Sequence, residues 1–64
     1  MRYFEGLAGA ENYAQNSSKK HNGTRYVTKT TVINIGVSYF VYEEWEELDA
    51  GEKLISTFKN GERQ

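Results

Sequence analysis

Neither cysteine nor proline occurs in this chain of 64 residues, and each absence narrows what it can be. Without cysteine there is no disulfide framework and no thiolate zinc site, so stability comes from one core, from a partner or from self-association. No apolar run approaches the ~20 residues of a membrane-spanning helix. The start, Met1-Arg2-Tyr3-Phe4-Glu5, lacks the apolar stretch of a signal peptide. The expected location is therefore cytoplasmic, and the glycosylation sequons at Asn16 and Asn22 are read as chance matches.

Chemistry-bearing side chains are also scarce. His21 is the one histidine and Asp49 the one aspartate, and neither a Cys-His pair, a P-loop nor a GxGxxG spacing is present. His21 follows Lys19 and Lys20, where a cation complements the end of a helix dipole. Paired carboxylates such as Glu43 and Glu46 are of the type that does acid-base work or holds Mg²⁺ or Ca²⁺, but a chain this short offers no deep pocket to exclude water. A non-enzymatic protein is expected, with no cofactor and no metal.

What is present points to an ordered fold. The aromatic fraction is 14%, and five of those residues are Tyr. A chain of this length makes one domain, residues 1–64, burying only about 60% of its unfolded surface. From Leu7 to His21 the less polar residues Leu7, Ala10, Ala14, Ser17 and His21 recur at helical spacing, predicting a helix with a narrow face of small residues. Asn22-Gly23 supplies its stop. The β-branched run Arg25 to Ile33 predicts a strand, Asn34-Ile35-Gly36 a hairpin loop, and Val37 to Trp45 the return strand. A second hairpin loop at Asp49-Ala50-Gly51 leads to a third strand, Lys53 to Phe58. Asn60-Gly61 closes the ordered part, and residues 62–64 fray. With a short strand at Arg2 to Glu5, the expected fold is α+β in the order β-α-β-β-β, one helix on a three- or four-stranded antiparallel sheet.

Loops of three residues place Ile33 opposite Val37, Tyr39 opposite Thr31, and Tyr42 opposite Phe58. Strand alternation then gives a core face of Val27, Ile33, Val37, Tyr39, Val41, Trp45 and Ile55. The second face carries Tyr26, Thr28, Thr30, Val32, Phe40, Tyr42, Leu54 and Phe58, too apolar to lie wholly open to water. Three explanations remain open: cover by the chain's own terminal segments or a shifted register, a protein interface, or a platform for stacked bases.

Charge is segregated although the net is −1. Residues 12–42 hold Lys19, Lys20, Arg25 and Lys29 with no acid, whereas residues 43–52 hold Glu43, Glu44, Glu46, Glu47, Asp49 and Glu52 with no base. Arg25 and Lys29 are expected to neutralise Glu43 in part, the other acids keeping a strand edge soluble. The compact format with a charged edge is similar in size and composition to small accessory proteins of phages and other mobile elements. The expectation is a protein-interaction module, a regulator or inhibitor, binding a partner protein or a second copy of itself. Its surface comprises Tyr26, Phe40, Tyr42 and Phe58 with the acidic rim Glu43, Glu44, Glu46 and Glu47. The alternative is weak, salt-sensitive nucleic-acid binding through Lys19, Lys20, Arg25 and Lys29.

Overall fold

The computed structural model describes residues 1–64 and has one helix on a five-stranded antiparallel sheet. The elements are β1 (Arg2–Phe4), α1 (Leu7–Lys20), β2 (Thr24–Val32), β3 (Gly36–Glu43), β4 (Lys53–Lys59) and β5 (Glu62–Arg63). Their spatial order is β1-β3-β2-β4-β5, so β1 and β2 run in the same direction with β3 between them.

The helix stops as its sequence dictates. Asn22 takes the left-handed conformation (φ 50°), and the Gly23 N–H donates to the Ser18 carbonyl while that of Asn22 reaches Lys19. This is a Schellman ending in which Asn supplies the residue of positive φ. Ala10 and Ala14 are fully buried against Val27, Val41 and Phe58, with Phe4, Leu7, Tyr13 and Tyr39 packed around them. Small side chains let the helix axis come close to the sheet, and the core is compact in consequence. His21, which falls on the helical spacing but is expected as a cap or surface residue at the helix end, is the C-cap and is exposed beyond the last turn.

The structure corrects the expected sheet in four respects: one hairpin register, one strand neighbour, one bulge and the tail. The β2–β3 hairpin closes Val32 against Gly36, with Ile33-Asn34-Ile35 as its loop, so Thr31 lies opposite Val37 and Tyr39 opposite Lys29. Ile33 (85% exposed) is therefore in the loop and outside the core, Trp45 (71%) lies beyond the end of β3, and Val37 is exposed as well. Next, β4 pairs with β2 and not with β3, because the chain from Glu44 to Glu52 forms no hairpin but crosses over β2 on the face away from the helix, from the Arg25 row back to the Lys29 row, where β4 begins. Tyr42 lies opposite Tyr26, and Phe58 opposite Arg25.

The third correction concerns face. Opposite Val27 and Thr28 the partners are Ser56 and Leu54, so Ile55 is the extra residue of a β-bulge. One inserted residue inverts the alternation beyond it. Leu54 therefore stays on the face away from the helix, while Phe58 turns under it and is buried in the core.

Last, the tail is ordered. Asn60 (φ 53°) and Gly61 (φ 85°) make a two-residue turn of the primed type, which joins β4 to β5. Arg63 lies 4.9 Å above the Phe58 ring and pairs with Glu11 at 2.8 Å. That pair, with a hydrogen bond from Ser56, holds the Glu11 carboxyl below the usual carboxylate range.

Candidate functional site

The face of the sheet away from the helix follows from the register. It presents Tyr3 from β1, Ser38, Phe40 and Tyr42 from β3, Tyr26, Thr28, Thr30 and Val32 from β2, and Leu54 and Thr57 from β4. None of these side chains is charged. Part of this face is covered by the crossover that follows β3. The Glu52 carboxylate accepts hydrogen bonds from the Thr28 hydroxyl at 2.6 Å and the Tyr42 hydroxyl at 2.8 Å. Thr28 is fully buried and Tyr42 is 4% exposed. Burial, reinforced by the neighbouring Glu52 carboxylate, pushes the Tyr42 phenol up to about 12. Beside it lies an open groove of about 720 Å³, bounded by Met1, Tyr42, Leu48, Ala50 and the acids of the crossover.

The cover stops short of the other half. Tyr3 (54% exposed) and the half-buried Phe40 meet edge to face, with ring centroids 5.8 Å apart, and Leu54 is 50% exposed on the opposite side of Thr28. Tyr26 is half-buried between Tyr42 and Thr57. Of the four aromatics expected to bind a partner, Tyr26 and Phe40 thus remain accessible on this face. Tyr42 is sealed under the crossover, and Phe58 lies on the helix side. Tyr3 was missed because so short a first strand gives no register from sequence.

The acidic segment divides between structural and free carboxylates. Glu43 stands directly opposite Arg25, 3.5 Å from its guanidinium. Glu46 accepts the Glu43 backbone N–H at 2.9 Å and pairs with the N-terminal ammonium. Those two contacts, the backbone one first, hold the Glu46 carboxyl below its ordinary range. Glu44 and Glu47 are exposed and carry no hydrogen bond or ion pair.

The four basic residues expected on a nucleic-acid surface do not share one. Arg25 is buried, with Nε donating to Ser17 Oγ at 2.9 Å and a second nitrogen donating to the Thr24 carbonyl. Arg25 and Lys29 lie on the helix side of the sheet, away from Tyr26, Phe40 and Tyr42. Lys19 and Lys20 are exposed in the last helical turn, and the Lys19 stem packs over Gly61. No group of three or more His, Cys, Asp or Glu side chains is placed to hold a metal ion. No helix is long and apolar enough to cross a membrane.

Two exposed apolar features escape the sequence reading. Trp45 stands free at the base of the sheet, beside His21, Arg25 and Glu44. At the opposite end, Ile33 and Ile35 cap the β2–β3 hairpin, both at least 80% exposed. Comparison with protein-family models, curated proteins and solved structures finds no match to this chain.

Proposed function

We propose that this chain is a non-enzymatic protein-interaction module, a small regulator or inhibitor that acts by occupying a surface of another protein. The observation that carries this reading is the open Tyr3–Phe40 pair, with Leu54 exposed beyond buried Thr28 and Glu52, on a sheet face the chain itself covers only in part. Exposed aromatic and aliphatic side chains on a rigid sheet, bordered by polar residues, are the composition of an interface centre. Trp45 and the free carboxylates Glu44 and Glu47 extend the contact at the base. Buried Arg25 leaves too few convergent cations for a phosphate backbone, so protein contact is preferred to nucleic acid.

The test pairs capture with substitution. The tagged chain is used to recover partners from an extract of its source cells, with and without nuclease, and the recovered protein is then titrated with the purified chain. Tyr3→Ser combined with Leu54→Ser should weaken that binding about tenfold or more, since truncating an anchor costs over 1 kcal/mol. Both positions are half exposed, so the helix signal by circular dichroism should be unchanged. Equal affinity of the double variant would overturn the reading, and recovery only without nuclease would replace it with nucleic-acid binding.

A further inference from the structure

The five-stranded body ends at a single row, where Phe4, Tyr39, Lys29 and Lys53 lie side by side across β1, β3, β2 and β4. Beyond that row β2 and β3 continue alone. Thr30 pairs with Ser38, Thr31 with Val37 and Val32 with Gly36, before the Ile33-Asn34-Ile35 loop. Three residue pairs at ~3.4 Å each carry this arm roughly 10 Å past the body, in keeping with a long axis of 37 Å against 22 and 17 Å. Neither arm strand has a second neighbour over these residues, so two strand edges are open.

The outer edges of the body are blunted and those of the arm are not: β4 has no outer partner from Lys53 to Ser56, but that stretch starts with a charge and is kinked by the bulge at Ile55. β1 has three residues and begins with Arg2, with Glu5 just beyond its end; β5 has two, Glu62 and Arg63. Short, charged outer strands block pairing with other chains. From Thr30 to Tyr42 the chain carries no charge. The arm is β-branched at Thr30, Thr31, Val32, Ile33, Ile35 and Val37, and its tip is apolar and exposed.

We infer that the arm is a self-association element: Thr30–Val32 of β2 pairs antiparallel with the same segment of a second copy, about a two-fold axis at Thr31. A copy is the fitting occupant because the segment is complementary to itself. Thr31 meets Thr31 and Thr30 meets Val32, with no charge facing a like charge, and a two-fold contact uses the same patch on both chains. The β2 edge is favoured over that of β3, where Gly36 (φ 115°) weakens the strand. An arm of nine residues a side falls well below the ~20–30 of a standard interface, so the dimer is weak and dissociates on dilution. This surface is separate from that of Tyr3, Phe40 and Leu54, and the inference stands or falls apart from the preceding proposal.

Sedimentation velocity on the full chain, from millimolar to low micromolar concentration, tests it. Wild type and Thr31→Val should pass from dimer to monomer on dilution, while Thr31→Lys, which sets two ammonium groups against each other, should weaken association tenfold or more. Thr31 is exposed, so all three should share one circular dichroism spectrum. Because the chain has no cysteine, Thr31→Cys carries a unique thiol. Mild oxidation should link it into a dimer much faster than Gln64→Cys. A monomer at every concentration, or a Thr31→Lys dimer as tight as wild type, would overturn the inference. Loss of the dimer in the Tyr3→Ser, Leu54→Ser variant alone would assign self-association to that sheet face instead, overturning the arm and leaving the interaction reading in place.

Discussion

Tyr42 shows how one residue can belong to the surface by strand parity and to the interior by packing. Its side chain is on the face away from the helix, yet the crossover delivers Glu52 to its hydroxyl and seals it. The phenol ionises near 10 in the unfolded chain and is pushed up to about 12 in the folded one. A raised folded value means that the stabilisation is complete below about pH 10 and is lost as pH rises through about 12. The difference corresponds to about 3 kcal/mol. Urea midpoints measured from neutral to strongly alkaline pH should fall steeply for wild type in that window. In Tyr42→Phe, which has no hydroxyl to ionise, the fall should be shallower, after a loss of about 1 kcal/mol at neutral pH for the missing hydrogen bond. Equal slopes for both proteins would show that Tyr42 is not the group responsible. Arg25 teaches the complementary lesson: a guanidinium with Ser17, Thr24 and Glu43 around it is spent on structure and is not free for a ligand.

Among the elements, α1 illustrates what sequence does convey. The spacing of Leu7, Ala10, Ala14 and Ser17 locates the helix to within one residue at its end and identifies its packing face, because a 3.6-residue period is a local property. That face has no spare volume: Ala10 and Ala14 are completely buried. Ala14→Leu should force the helix away from Val27 and Val41, costing about 2 kcal/mol by overpacking. In thermal melts this lowers the midpoint by about 10 °C in a domain of this size. Ala8→Leu, on the exposed side of the same helix, should change the midpoint little. If both variants melt alike, the helix does not pack through its small residues. The strands were legible as segments but not as a sheet. Nothing local marks the bulge at Ile55, and that one residue moves Phe58 from the presumed binding face into the core. The crossover was equally hidden, because Asp49-Ala50-Gly51 does form a turn, with the Gly51 N–H donating to Asp49. Whether a turn joins adjacent strands depends on β1 having taken the outer edge of β3, a non-local fact. The candidate site inherited both errors, keeping Tyr26 and Phe40 and losing Tyr42 and Phe58.

Over the whole molecule, charge is distributed differently than along the chain. Folding sets Glu43 against Arg25 and puts the start of the crossover at the end of the sheet where the helix also finishes, so acids and bases share that base while the arm at the other end is uncharged. The long axis therefore runs from a polar base to an apolar tip, and different contacts suit each end. Exposed charge at a rim acts chiefly on the rate of encounter, and buried apolar contact on the rate of escape. Glu44 and Glu47 are the acids left free to steer a basic partner, whereas replacing Glu43 or Glu46 would also break contacts to Arg25 or to the backbone. Glu44→Lys with Glu47→Lys should therefore slow association with such a partner severalfold at low salt, flatten the dependence of that rate on ionic strength, and leave dissociation nearly unchanged. Surface plasmon resonance across a salt series separates these effects. An unchanged association rate would mean that the acidic base keeps the sheet end soluble and takes no part in recognition, leaving the open apolar residues of the sheet face to supply it alone.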